Sequence, residues 1–204
     1  MTKKNNLKLL ALSERSESKG FTLIELLIVI AILGVLAVVV LLALNPVQQL
    51  ARTRDSGRIS GVTQLGHAVE AFATSNNGSY VNETGGATCT PNNWIGCLVT
   101  AGEIASVPST ITSSTGVPAC ATNVVSGTWC YDASGAGTVA PVVVFARLEA
   151  QANTARCTTT FGAGATQAYA IYSTALARGG IYCAGAAPTA GTNFIVGPGG
   201  NVLP

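Results

Sequence analysis

Charge is scarce in this sequence: 10% of its 204 residues are Asp, Glu, Lys or Arg, against roughly 25% in a typical soluble domain. Eleven Lys and Arg against nine acids leave a net charge of +2. No basic surface large enough to wrap nucleic acid can be built from that. Histidine occurs once, at His67. That excludes most zinc constellations, because Cys and carboxylates would have to supply nearly every ligand, and it leaves no credible Ser/His/Asp set. Cysteine is missing from the first 88 residues, and no C-x-x-C pair occurs, so the close spacing of metal and redox centres is absent. The length permits one ordinary domain with an appendage, or two small domains.

The charge that is present is uneven. Residues 1–20 carry five Lys and Arg against Glu14 and Glu17, a balance of +3, so the other 184 residues sum to −1. The six cysteines, at 89, 97, 120, 130, 157 and 183, lie in a Gly/Thr/Ser-rich context. Their even count and wide spacing read as disulfides formed outside a reducing cytoplasm. The nearest-neighbour scheme is Cys89–Cys97, Cys120–Cys130 and Cys157–Cys183, one of 15 pairings that six cysteines allow.

Residues 21–44 are apolar except for Thr22 and Glu25. As a helix they would span roughly 36 Å, enough to cross a bilayer core of about 30 Å. The run is too long for a secretory signal, has no small-x-small cleavage site after it, and leads through Asn45-Pro46 into a polar helical pattern. Glu25 is the anomaly. A carboxylate inside an apolar span costs several kcal/mol unless paired, and it marks a functional position by default. No Lys or Arg lies between Lys19 and Arg52; an α-amino group created by cleavage before Phe21 would supply the missing cation. The five basic residues before the span exceed the three just after it, which places the leader inside and the head outside.

The stretch Lys19-Gly20-Phe21-Thr22-Leu23-Ile24-Glu25-Leu26, followed by an unbroken apolar run, resembles the class III signal of type IV prepilins and type II secretion pseudopilins. Asn45-Pro46, Ala51-Arg52-Thr53-Arg54-Asp55, Arg58-Ile59-Ser60 and Asn77-Gly78-Ser79-Tyr80 resemble bacterial pseudopilins too, and the likeness is loose beyond about residue 81. The resemblance implies cleavage after Gly20 by a prepilin peptidase, methylation of the new N-terminal Phe21, and assembly through the apolar helix with Glu25 as the assembly residue. It implies further partners: identical or homologous pilin subunits, an inner-membrane assembly platform, and the lipid bilayer before assembly. DNA would be a partner only of a competence pilus. Gly34 and Pro46 are the expected weak points of the helix, and the segment between such residues often melts when subunits of the family pack into a filament.

Ile59, Val62, Leu65, Val69 and Phe72 recur on one face of a helix, which Ser75-Asn76-Asn77-Gly78 should stop. Beyond it, 94–104 reads as a short helix ending before Pro108, and 142–148 as a strand. Residues 168–172 and 181–183 read as a hairpin joined through Gly179-Gly180, and 193–196 as a last strand. Gly135 to Ala140 matches G-x-G-x-x-A, but a strand-like run follows instead of a helix, so a dinucleotide site is rejected. His67 reads as a polar or interface residue of the helix. Glu83, Glu103 and Asp132 lack the D-x-D-x-D-G pattern and read as solvated surface rather than calcium ligands. Asn77-Gly78-Ser79 and Asn82-Glu83-Thr84 fit the glycosylation pattern and read as turns. Arg52, Arg54, Asp55 and Arg58 admit two readings: a solvated face touching lipid headgroups, or pairing with acids of neighbouring subunits.

The expected fold is α+β and type IV pilin-like. A long N-terminal helix, transmembrane in its apolar half and amphipathic in its second, packs on a small antiparallel β-sheet head. The expected organisation is a cleaved cytoplasmic leader at 1–20, a transmembrane assembly helix at 21–45, its amphipathic continuation at 46–78, and a disulfide-containing head at 79–204. The expected function is that of a structural pilus or pseudopilus subunit, not an enzyme, with no cofactor and no metal. It would start as a single-pass inner-membrane protein and end in an extracellular or periplasmic filament. The alternative is a membrane-tethered surface binding or adhesion protein that does not polymerise. A simple tether, however, has no use for Glu25.

Overall fold

A computed structural model of the chain describes residues 20–83, 89, 93–111, 124–125, 128–133, 140–197 and 199–203. It divides into two compact units, Met1–Leu44 and Asn45–Pro204. The expected leader at 1–19 lies outside the described residues.

The first unit contains α1, Leu23–Leu44. Its Leu, Ile, Val and Ala side chains offer the backbone no competing hydrogen bonds, and none of its residues is buried. At about 1.5 Å per residue, 22 residues are long enough and apolar enough to cross a membrane. Gly34 lies inside α1 without interrupting it.

The second unit begins with α2, Pro46–Ser75. Pro46 occupies the first helical position, where its missing N–H is not needed. The interruption before it falls on Asn45 rather than on Pro46 itself. Asn45 takes φ 42° and ψ 71°, a left-handed conformation that Asn tolerates. The expected stop is where α2 ends: Asn77 and Gly78 take φ 55° and 82°, and the Gly78 N–H donates to Ala73 O at 2.8 Å.

The buried face of α2 differs from the apolar stripe read in the sequence. Val62, Leu65 and Val69 are buried and Phe72 half-buried, but Ile59 stays 36% exposed. The stripe runs instead through Ala51, Asp55, Arg58, Val62, Leu65, Val69 and Ala73, so two charged residues occupy positions that an apolar count leaves out.

Among the described residues, six antiparallel strands form one sheet in sequential order: β1 Val124–Val125, β2 Trp129–Ala133, β3 Val142–Arg147, β4 Gln167–Ser173, β5 Arg178–Ala184 and β6 Val202–Leu203. Two helices are set among them, α3 Trp94–Thr100 before β1 and α4 Gln151–Phe161 between β3 and β4. Both faces of the sheet are covered. Tyr131, Val144, Ala170 and Tyr172 join Val62, Leu65, Val69 and Trp94 in one core. Val143, Phe145, Tyr169 and Tyr182 meet Phe194 and Val202 on the other side. This double burial explains why β3 and β4 read as continuous apolar runs without alternation. Trp94 stacks on Tyr131 at 4.9 Å between centroids, and the Tyr131 hydroxyl donates to Val81 O at 2.8 Å.

Several expectations need correction. The β4–β5 hairpin turns at 174–177, with Ala177 at φ 49°, while Gly179 and Gly180 lie within β5, opposite Tyr172 and Ile171. They are strand glycines because a Cβ on Gly180 would stand 2.8 Å from Val202 Cγ1. Of the expected strand at 193–196, Val196 alone makes a bridge, to Val202, and the last strand is β6. The helix expected over 94–104 stops at Thr100. The strand β2 and the helix α4 were not anticipated.

Disulfides join Cys89 to Cys97 and Cys157 to Cys183. The second ties α4 to β5. Cys130 is also disulfide-bonded, and its expected partner Cys120 lies outside the described residues, as does 135–139 of the rejected glycine motif.

Candidate functional site

Gly20 and Phe21 are exposed and precede α1; a Cβ on Gly20 would meet nothing within 4 Å. Thr22 and Glu25 then close the first turn reciprocally. The Thr22 N–H and hydroxyl both donate to Glu25 Oε2, at 2.9 and 2.8 Å, and the Glu25 N–H donates to Thr22 Oγ1 at 3.3 Å. This is a capping box, in which a Thr before the helix and a Glu three residues on satisfy each other's orphan groups. Two neutral donors of its own chain thus hold Glu25. The T-x-x-E spacing was the available signal for Thr22, and the sequence reading passed over it. The Glu25 carboxylate is thereby held against the N–H of Thr22, the residue next to Phe21, where scission would expose an α-amino group.

Residues 15–41 match the family model of the prokaryotic N-terminal methylation motif. The chain carries the class III signal of type IV pilins and pseudopilins. This motif implies processing by a prepilin peptidase and assembly with other pilin subunits, and it belongs to structural proteins rather than to enzymes. Comparison with curated proteins and with solved structures returns no match.

In the unit that follows this pilin-type signal, two members of the charged run after Pro46, Asp55 and Arg58, are internal, contrary to both readings of them, while Arg54 is half-buried and Arg52 exposed. Asp55 and Arg58 are 2% and 1% exposed, and Arg58 Nη1 donates to Asp55 Oδ1 at 2.9 Å and to Glu149 Oε1 at 3.1 Å. Arg54 Nε also donates to Glu149, which raises the Arg54 pKa. The rest of the Asp55 carboxylate caps α4. It accepts from Glu149 N at 3.0 Å, Ala150 N at 2.9 Å and Asn153 Nδ2 at 2.8 Å. Gln48 Oε1 accepts from Gln151 N at 3.0 Å. Ala150, the residue at the cap position of α4, has no side chain that could do this. Only Arg52 of the four residues is left on an exposed position without an ion pair among the described residues.

His67 is exposed and lies edge-on to Tyr172, whose hydroxyl donates to Glu70 Oε2 at 2.9 Å. Burial, and then the bond to Glu70, push the Tyr172 phenol up to about 12. Glu83, Glu103 and Asp132 each serve a backbone or hydroxyl donor, respectively Ala133 N, Ser75 Oγ and Ala190 N, and among the described residues no three potential metal ligands cluster.

Proposed function

We propose that this chain is a structural subunit of a type IV pilus or a type II secretion-like pseudopilus. Its leader stays on the cytoplasmic face, α1 holds it in the inner membrane, and a prepilin peptidase cuts between Gly20 and Phe21. Hydrolysis of that bond leaves a carboxylate on Gly20 and an ammonium on Phe21, which is then N-methylated. An assembly platform draws the subunit out of the bilayer and stacks it on its predecessor, α1 against α1.

The observation that carries this reading is Glu25, the only ionisable residue of α1, within the matched motif. In an apolar bundle the carboxylate is penalised by desolvation unless a cation meets it. The Phe21 ammonium of an adjacent subunit can do so, and one such pair per subunit would set the axial register of otherwise featureless apolar helices, as a buried polar residue does in coiled coils. Two measurements test the proposal. Intact mass of the surface form should begin at Phe21, with 184 residues; a form retaining residues 1–20 would refute processing. Glu25→Ala should leave expression and membrane insertion intact and abolish or greatly reduce filaments, with Glu25→Asp milder. Filaments at wild-type abundance from Glu25→Ala would refute the register role and favour a membrane tether.

A further inference from the structure

A groove of about 390 Å³ opens on the second unit, lined by Ile59 of α2, Arg156 of α4, Arg178, Gly179 and Ile181 of β5, and Leu203 of β6. It accounts for the apolar residue that escaped the core, since Ile59 stays 36% exposed and turns to this groove. Gly179 adds no side chain to the groove between Arg178 and Ile181 of β5. A Cβ there would stand 3.1 Å from Thr63 Oγ1 and 3.3 Å from Ile171 O. Arg156 is next to Cys157, whose disulfide to Cys183 ties α4 to β5. The two guanidinium-bearing elements are therefore held together before anything binds, which lowers the ordering cost of binding.

The charge inventory says what fits. Residues 46–204 contain six Arg, no Lys and six acids. Every one of those acids already accepts a hydrogen bond within the chain: Asp55 and Glu149 in the buried cluster, Glu70 from Tyr172, Glu83 from Ala133, Glu103 from Ser75 and Asp132 from Ala190. Arg54 and Arg58 are spent on that cluster. Arg156 and Arg178 are exposed and make no ion pair among the described residues. The surplus on this surface is cationic, and a second copy presents no unengaged carboxylate from the same unit to answer it. Phosphates of a nucleic acid could meet the two guanidiniums but would leave Ile59, Ile181 and Leu203 without an apolar counterpart.

We propose that this groove docks an acidic segment of a different protein, with a carboxylate between Arg156 and Arg178 and an adjacent aliphatic side chain on Ile59, Ile181 and Leu203. Guanidinium forks pair well with carboxylates, and the aliphatic contact would supply the discrimination that charge alone lacks. The reading does not depend on polymerisation, because binding is measured on the dispersed full chain.

The test is fluorescence anisotropy of the detergent-solubilised full chain with a labelled hexapeptide of alternating Glu and Leu. Saturable binding is expected, weakened roughly tenfold or more by the double variant Arg156→Gln, Arg178→Gln. Ile59→Glu, which places a carboxylate in the groove at an exposed position that folding tolerates, should weaken it comparably. Arg52→Gln should leave it unchanged. Peptides alternating Gln with Leu, or Glu with Ser, should bind at least several-fold more weakly. The proposal is overturned if the acidic peptide shows no saturable binding, or if Arg52→Gln weakens it as much as the double variant. It is equally overturned if the Glu–Ser peptide or a single-stranded DNA of similar charge binds as well as the Glu–Leu peptide.

Discussion

Asp55 shows how much a single carboxylate can organise. It neutralises Arg58 and caps α4 at once, so its removal would leave a buried guanidinium short of a partner and the Glu149 and Ala150 N–H groups without their acceptor. Asp55→Ala should cost about 3–5 kcal/mol, the range for breaking a buried pair, read as a lowered denaturant midpoint of the full chain in detergent. Arg52→Ala, at an exposed position, should stay within about 0.5 kcal/mol. Tyr172 adds a pH dependence. Its folded pKa, about 12, lies above the ordinary value of 10.0, so the native state holds the phenolic proton more tightly than the unfolded chain does. The stability this contributes is fully present below about pH 10 and is lost as pH rises to about 12. Unfolding midpoints across that window should fall, and Tyr172→Phe should lessen the fall.

Two helical glycines in α2 decide how closely it lies on the sheet. In an exposed helix, Gly→Ala gains roughly 1 kcal/mol from propensity. Here a Cβ on Gly61 would stand 2.2 Å from Trp129 Cη2, and one on Gly66 2.1 Å from Tyr172 Cγ. Both rings are buried and cannot step aside, so overpacking outweighs propensity. Gly61→Ala and Gly66→Ala should each destabilise by about 1–3 kcal/mol or more. Gly57→Ala meets only Ile111 Cδ1, the flexible end of a side chain, at 3.2 Å, and should be nearly neutral. A ranking by thermal unfolding checks all three, and equal effects would contradict the close-approach account. The helix α4 belongs to the same scale. Its sequence, rich in Thr with Ala150 before it, carries weak local helix signals, and its first turn is completed from α2.

For the whole molecule, the cross-links decide how firmly the second unit holds together. Cys157–Cys183 encloses a separation of 26 residues and ties α4 to the sheet. Its loss should cost about 2–4 kcal/mol, largely by freeing the unfolded chain. Cys157→Ala with Cys183→Ala should therefore lower the unfolding midpoint and expose 151–161 to protease sooner than the strands. Uniform protease resistance in that variant would show that the Asp55 cap suffices without the cross-link.

The apolar helix and its signal, the stop at 75–78, and the strands over 142–147 and 167–173 were legible because each is written in neighbouring residues: an unbroken apolar run, a turn sequence, a β-branched and aromatic stretch. The sequence by itself therefore determined the class III motif, the presence of Glu25 within an apolar helix, and an antiparallel α+β head. Only the tertiary structure decided that Asp55 and Arg58 lie inside, that Ile59 lies outside, and that α4 exists. An amphipathic count treats a charge as solvent-facing because burial without a partner is prohibitive. The partners that remove that penalty, Glu149, Ala150 and Asn153, lie 94 to 98 residues along the chain from Asp55, where no local pattern can reach them.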